Sequence, residues 1–281
     1  MQIGVNLWVW GAPVNTDHIE QTVPKAADMG FDAVEIPLAD PEGFDHDRTA
    51  ALLEQHDLDV GVVAAMSEDR DLLHEDPDVR ENGRDYLRTC IETADGIGAT
   101  QLGGPLYAAV GRTWKMSPAE RAAAVEQLVE QLQELAEYAA DHGVTLCVEP
   151  LNRFETSFLN TAEQGIEVID RVDSPHCQLL LDTFHMNIEE KSIRRAIESA
   201  GDRLGYFHAC GNDRGAPGND HIDWDEVVRA LNRVGYDDKA IIESFTPEVE
   251  SIAKAAAIWR PLEDSQDALA TDGLAHLQDY F

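Results

Sequence analysis

The feature of the sequence that most constrains its fold is an alternation of short apolar runs with longer segments of helical spacing. Eight such pairs follow one another along the 281 residues, with no low-complexity linker between them. Strands that alternate with helices form parallel sheets, because each helix carries the chain back to the start of the next strand. The predicted strands are residues 3–9, 33–36, 60–65, 100–102, 144–148, 178–181, 204–207 and 240–242.

The segments between these runs are predicted to be helices. They are residues 19–29, 47–56, 78–97, 118–142, 161–172, 192–199, 224–234 and 248–258. Eight β/α units are the number that closes a barrel, so we predict an α/β fold, a single (β/α)8 TIM barrel spanning residues 1–281. Residues 259–281 are expected to form a C-terminal helical extension. An open doubly wound sheet is disfavoured because no G-x-G-x-x-G segment follows the first strand.

The charge of the chain limits its partners. There are 21 basic and 54 acidic side chains, which gives a formal net charge of −33. A surface this acidic repels phosphate backbones and anionic lipid headgroups, so neither nucleic acid nor membrane is an expected partner. Lysine is scarce beside arginine, 5 residues against 16. This pattern favours a halophilic source over an ordinary acidic cytosolic enzyme, since molar salt screens such a charge.

The cysteines and the N-terminus indicate the compartment. The four cysteines form no C-x-x-C pair and are interpreted as reduced core thiols. No apolar run approaches the ~20 residues that a membrane span needs. The first residues lack the basic region of a signal peptide, so a cytoplasmic location is expected.

Four consecutive late strands are each followed by a side chain that can bind a metal. These are Glu149, Asp182, His208 and Glu243. One such residue alone is more simply interpreted as a polar strand end that caps a loop. Four that converge on the mouth of a barrel favour a shared cation, because buried carboxylates are costly without one. Three carboxylates and one imidazole suit Mn²⁺, Mg²⁺ or Co²⁺ better than structural zinc.

Two segments carry a resemblance to a known family. They are EPLNRFE at residues 149–155 and LDTFHMNIEE at residues 181–190. Together with His208, Arg214, the Pro-Gly pair at 217–218 and Glu243, they resemble the D-tagatose/D-allulose (psicose) 3-epimerase family of the xylose-isomerase-like barrel superfamily. The resemblance covers essentially the whole chain and is densest between residues 143 and 243.

The resemblance implies a metal centre and a reaction. Glu149, Asp182, His208 and Glu243 would bind one divalent ion per chain, with Mn²⁺ preferred and Co²⁺ or Mg²⁺ as alternatives. Glu149 and Glu243 would also be the catalytic acid/base pair. Epimerisation at C3 of a ketose needs a proton removed from one face and returned to the other, which two carboxylates can do through a cis-enediolate that the metal stabilises.

The same resemblance implies that Glu155, His185 and Arg214 bind the sugar. Judged without it, His185 is equally well explained as a core histidine, and Arg214 as a solvated loop arginine. Glu35, at the end of the second strand, is a weaker candidate that would line the rim or pair with an arginine. Apolar walls for the sugar are expected on early loops, at Trp8, Leu106, Tyr107 and Trp114.

The predicted function is therefore that of a metal-dependent ketose 3-epimerase acting on free sugars of the D-fructose/D-allulose, D-tagatose or L-ribulose type. The alternatives are an aldose–ketose or hydroxypyruvate-type isomerase on the same barrel, and a non-catalytic sugar-binding protein. A repair endonuclease is disfavoured by the negative charge. By resemblance alone, a homodimer or homotetramer is expected. Departures from the family at Asn6 and at residues 210–213 leave the preferred sugar open.

Overall fold

Eight parallel strands form a closed barrel in chain order. The computed structural model describes residues 1–281. The barrel closes because β1 pairs with both β2 and β8, and the predicted TIM barrel is thereby confirmed. The strands are β1 (Gln2–Asn6), β2 (Ala33–Pro37), β3 (Asp59–Val63), β4 (Gln101–Gly104), β5 (Thr145–Val148), β6 (Cys177–Asp182), β7 (Leu204–His208) and β8 (Lys239–Ile242).

Ten α-helices connect or follow the strands. They are α1 (Thr16–Met29), α2 (His46–His56), α3 (Pro77–Ile97), α4 (Pro118–Asp141), α5 (Ala162–Val172), α6 (Thr183–Glu189), α7 (Ile193–Ala200), α8 (Trp224–Val234), α9 (Glu250–Ala255) and α10 (Gln266–Gln278). Local chemistry sets their ends. Ser117 and Glu120 form a reciprocal capping box at the start of α4, and Gly30 ends α1 in the left-handed conformation with φ of 93°.

Of the three buried apolar clusters, two stabilise the barrel. The larger cluster has 71 buried residues, which include the apolar side chains that the helices pack against the sheet. The smaller lies inside the barrel and consists of Cys147, Leu180, Tyr206 and Ile241. Side chains alternate between the two faces of a strand. The residues two positions further along the chain therefore point into the same interior, one layer nearer the mouth of the barrel.

The structure departs from the prediction at the end of the first strand and directly after the sixth. The first strand ends at Asn6, not at Val9, because the Asn6 side chain accepts a hydrogen bond from the Trp8 N–H and turns residues Leu7–Val9 into a 3-10 helix. Helix α6 was not predicted. It starts directly after β6, where the Asp182 side chain accepts from the Phe184 N–H and caps the helix.

The eighth outer helix is α10, and not the segment 248–258. Helix α9 within that segment has only six residues and no side-chain cap. Helix α10 packs against β1 and β8 and buries Leu269, Leu274 and Leu277. The region expected to be an extension, residues 259–281, thus supplies the last helix of the ring.

The cysteines lie in the core, as the sequence predicted. All four cysteines are unpaired and buried. None of the helices combines the length and the apolar composition that a bilayer crossing requires.

Gly61 provides a test of packing inside the barrel. The hydroxyl of Tyr206 reaches across to β3 and lies against Gly61, where an added Cβ would collide with it. We expect Gly61→Ala to lower the free energy of unfolding by about 1–3 kcal/mol. Gly96→Ala is the matched control, since a Cβ there meets nothing closer than 3.8 Å on the exposed side of α3. It should stabilise the helix by about 0.5–1 kcal/mol. Equal shifts in urea unfolding for the two variants would contradict this packing.

Candidate metal centre

Four side chains meet at one buried point at the carboxyl end of the barrel. These are Glu149, Asp182, His208 and Glu243, and one ligand atom from each lies within 4.8 Å of the others. Asp182 and His208 are register partners on β6 and β7, while Glu149 and Glu243 directly follow β5 and β8. Each stands two residues after a member of the apolar cluster inside the barrel. The alternation of the strands therefore places all four in one layer.

Arg214 balances part of the negative charge at this point. Its guanidinium donates to Asp182 Oδ2 and, at 2.7 Å, to Glu243 Oε2. The side chain is buried, and the backbone is left-handed with φ of 70°, which is costly for a residue with a Cβ. The fold thus accepts backbone strain in order to bring this cation to the two carboxylates.

The two glutamates have pKa values displaced in opposite directions. Burial, and then the charge of Glu243, raises the pKa of Glu149 well above its usual range. Burial acts on Glu243 in the same direction, but Arg214 and His208 outweigh it and hold the pKa of Glu243 below its usual value. Neighbouring carboxyl groups whose pKa values are driven apart form a natural donor and acceptor of protons.

His185 on α6 faces the same point. Its Nε2 lies 3.6 Å from Glu149 Oε1, and its Nδ1 accepts from the Asn152 N–H at 3.0 Å. Burial, together with the nearby Arg214, lowers the pKa of His185 to about 3, so the ring is neutral with its proton on Nε2. Glu149 Oε1 and His185 Nε2 are both buried without a hydrogen-bond partner. Buried polar atoms are normally paired, so these two indicate a ligand-binding point.

A cavity of about 180 Å³ opens onto this centre. Its polar lining consists of Glu149, Glu155, His185, Arg214 and Glu243. The rest is mainly apolar and includes Trp8, Phe245 and the α9 residues Ile252 and Ala255. A larger surface groove of about 670 Å³ beside Trp10 contains none of the four converging residues. The small cavity is therefore the one relevant to chemistry.

The predicted sugar-facing walls need correction. Trp8 lines the cavity, but Leu106, Tyr107 and Trp114 lie outside it. Leu106 and Tyr107 are fully buried in the main core, and the ring of Trp114 stacks on Phe158 with centroids 6.0 Å apart. Burial against other apolar groups, complete for Leu106 and Tyr107 and partial for Trp114, gives these side chains more stabilisation than the wall of an open cavity would.

Glu35 has a different partner from the one expected. It is fully buried, and its Oε1 accepts from His208 Nε2 at 2.9 Å. Its Oε2 accepts from Asn6 Nδ2 at 2.6 Å. The predicted arginine partner is wrong. The signal that could have shown this is the local pattern, since Glu35 is a carboxylate in the middle of an otherwise apolar strand.

Comparison with known proteins places the chain in a family. The family model described as xylose isomerase-like TIM barrel matches residues 23–278. A ketose 3-epimerase of Arthrobacter globiformis is 32% identical over 281 residues, which cover 99% of this chain and 96% of that protein. An L-ribulose 3-epimerase of Methylomonas sp. (strain DH-1) is 31% identical and covers 100% of this chain and 98% of its own.

A solved structure agrees with this. A D-allulose 3-epimerase from Methylomonas sp., crystallised in complex with D-allulose, superposes with a TM-score of 0.92 at 31% identity, covering 100% of this chain and 97% of that one. The chain therefore belongs to the xylose isomerase-like TIM-barrel family. The relatives named above are ketose and L-ribulose 3-epimerases, which is the family that the two sequence motifs predicted.

Removing Arg214 tests the balance of charge. Arg214→Met leaves Asp182 and Glu243 without their cationic partner, and in EDTA we expect a loss of about 3–5 kcal/mol in the free energy of unfolding. Mn²⁺ should recover much of this loss, because an ion that binds only the folded state stabilises it. The measurement is thermal unfolding with EDTA and with Mn²⁺.

The matched control is Arg233→Met, which removes an arginine that is 69% exposed and paired with Glu198. Its effect should stay below about 1 kcal/mol and should not respond to Mn²⁺. If both variants lost the same stability in EDTA, Arg214 would not be balancing a buried charge.

Proposed function

We propose that this chain is a metal-dependent ketose 3-epimerase that interconverts C3 epimers of free ketoses. The observation that carries the proposal is the convergence of Glu149, Asp182, His208 and Glu243 beside a cavity small enough for one monosaccharide. It occurs in a chain whose relatives are named ketose and L-ribulose 3-epimerases. The proposed substrates are of the D-fructose/D-allulose, D-tagatose or L-ribulose type.

The four converging residues would hold one divalent cation. The donor set fits a hard ion with Mn²⁺ preferred and Co²⁺ or Mg²⁺ as alternatives, since it offers three carboxylates and one imidazole. The buried and unpartnered Glu149 Oε1 supports this, because such an atom needs a ligand. When bound, the ion would polarise the oxygens of the sugar and stabilise the negative charge that develops on them.

Glu149 and Glu243 would exchange the proton at C3. In one direction Glu243, whose pKa is lowered, accepts the proton from C3, and the sugar becomes a planar cis-enediolate. Glu149, whose pKa is raised, then returns a proton to the other face and inverts the centre. In the reverse direction the two roles are exchanged.

Three neighbouring side chains would orient the sugar. His185 presents its Nε2 proton to the cavity, and Arg214 offers guanidinium N–H groups. Glu155 accepts from Asn152 Nδ2 at 2.7 Å, which fixes its carboxylate against the cavity. Trp8 and Phe245 supply apolar surface for the C–H groups of the sugar. A homodimer or homotetramer is proposed from the family resemblance.

The reaction is tested by incubating EDTA-stripped and Mn²⁺-reconstituted protein with D-fructose, D-tagatose and L-ribulose in D₂O. We expect the C3 epimer, with deuterium at C3, in the reconstituted sample alone. NMR of the products provides the measurement. Formation of an aldose would show that the protein is an aldose–ketose isomerase and not an epimerase. If the protein bound the ketose but no carbon-bound hydrogen exchanged with D₂O, it would be a non-catalytic sugar-binding protein.

Single substitutions separate the two proton-transfer groups. Glu149→Gln and Glu243→Gln should each lower kcat about 10²- to 10⁴-fold. Because only one carboxyl group then remains, each variant should still exchange the C3 proton of one epimer with D₂O, and a different epimer in each case. Glu198→Gln, at a carboxylate of α7 that is 23% exposed and lies away from the cavity, is the control for charge loss. Metal content is measured for every variant, and exchange of the same epimer by both variants would contradict two opposed bases.

The proposed halophilic character is tested by the salt dependence of folding. The net charge of −33 opposes the compact state through self-repulsion, which salt screens. We expect Tm to rise by about 4 °C or more between 0.1 and 2 M KCl, which corresponds to about 1 kcal/mol or more. NaCl of equal ionic strength is the control for ion identity. A Tm that falls with salt would show that the ion pairs outweigh the repulsion.

A further inference from the structure

A buried series of hydrogen bonds leads from β1 to the metal centre. The residues that form it have no part in the proposed proton transfer. Asn6 and Glu35 are register partners on β1 and β2, and both are fully buried. Asn6 Oδ1 accepts from the Trp8 N–H at 2.8 Å, and Asn6 Nδ2 donates to Glu35 Oε2 at 2.6 Å. Glu35 Oε1 in turn lies 2.9 Å from His208 Nε2. These hydrogen bonds thus connect a backbone amide to a proposed metal ligand.

The direction of each of these hydrogen bonds follows from the first one, in which a backbone N–H is the donor. The Trp8 N–H can only donate, so the Asn6 oxygen is the acceptor and its amide nitrogen must face Glu35. A carboxylate can only accept, so the proton between Glu35 and His208 belongs to Nε2. The lone pair of a neutral His208 ring is then on Nδ1. That atom is 3.2 Å from Glu243 Oε2, on the side of the four converging residues.

The position of the ring is held as well as its tautomer. Tyr206, one layer deeper in the barrel, packs edge-on against His208 with ring centroids 5.5 Å apart. Since Glu35 is fully buried, bulk solvent does not reach its oxygens. A partner that fixes the second nitrogen of a metal-binding histidine typically contributes to metal affinity.

We propose that Glu35 is a positioning residue of the metal centre, which holds His208 with Nδ1 free to bind the cation, and that Asn6 orients Glu35 for this task. The inference rests on the proposed function, because it assumes that His208 binds a metal. It assigns to Glu35 no contact with the sugar.

The test is the affinity of EDTA-stripped protein for Mn²⁺, measured by titration calorimetry without substrate. In Glu35→Gln, the Asn6 amide attracts the new side-chain oxygen and turns the new NH₂ group toward His208 Nε2. That favours the tautomer with the proton on Nδ1, which cannot bind metal. We expect Mn²⁺ affinity to fall about 10- to 100-fold.

A second substitution should reverse this effect without restoring Glu35. In the double variant Asn6→Asp with Glu35→Gln, one oxygen of the new aspartate keeps the bond from the Trp8 N–H. The other oxygen accepts from the new glutamine NH₂ group, so the glutamine oxygen faces His208 Nε2 again. The net charge of the pair is that of the wild type, and most of the lost affinity should return. A double variant as weak as Glu35→Gln would overturn the assignment of directions.

Asp71→Asn is the matched control for losing a buried carboxylate. Asp71 is 1% exposed, accepts from the Ala109 N–H at 3.1 Å and pairs with Arg112 at 2.7 Å, but it does not touch the metal centre. It should lower Tm and leave Mn²⁺ affinity unchanged. If it weakened binding as much as Glu35→Gln does, the effect would be one of general stability and the proposal would fall.

The outcomes separate this inference from the proposed function. If the wild type bound no Mn²⁺ at a 1:1 ratio, the metal centre itself would be wrong, and the role of Glu35 with it. If the wild type bound Mn²⁺ and Glu35→Gln bound it equally well, the inference alone would be overturned. Should Glu35→Gln fail to fold, Glu35→Asp keeps the charge but withdraws it from His208. Weaker binding by that variant supports the proposal, and unchanged binding overturns it.

Discussion

The structure depends on holding three carboxyl groups together in a place with little water. Glu149, Asp182 and Glu243 would repel one another there, and such groups are stable only when positive charge or hydrogen-bond donors surround them. Several otherwise unfavourable features become intelligible on this basis. Arg214 takes a left-handed backbone conformation to reach two of the groups, and α6 starts directly after β6, so that the Phe184 N–H of its first turn donates to the Asp182 carboxylate.

The barrel interior supplies a rigid apolar layer beneath the three carboxyl groups. Four interior side chains, those of Cys147, Leu180, Tyr206 and Ile241, lie one layer below the four converging residues. The Tyr206 ring is large, and it fits because β3 and β4 present glycines, Gly61 and Gly103, on the facing side. The period of two along each strand then places each of the four converging side chains above an apolar one, which fixes its direction.

Much of this arrangement could be predicted from the sequence, because it follows from short-range patterns. The alternation of runs predicts the eight strands, and the polar residue after each late strand predicts the cluster. The parts that were missed depend on contacts that no local pattern records. The end of β1 at Asn6 depends on one side-chain turn, and the partner of Glu35 is a histidine 173 residues away in sequence. Tyr107 and Trp114 lie beside the early loops, and only the structure shows that both pack against Phe158, with Tyr107 buried in the core and Trp114 at its edge.

The last two helices divide two tasks that a single helix performs in the simplest barrel. Helix α10 completes the outer ring against β1 and β8, whereas α9 contributes Ile252 and Ala255 to the cavity and buries little else. Substitutions in α9 can therefore reshape the space around a bound molecule while the scaffold keeps its support. Divergence of ligand preference among such proteins can therefore proceed through this short segment while the outer ring of helices stays the same.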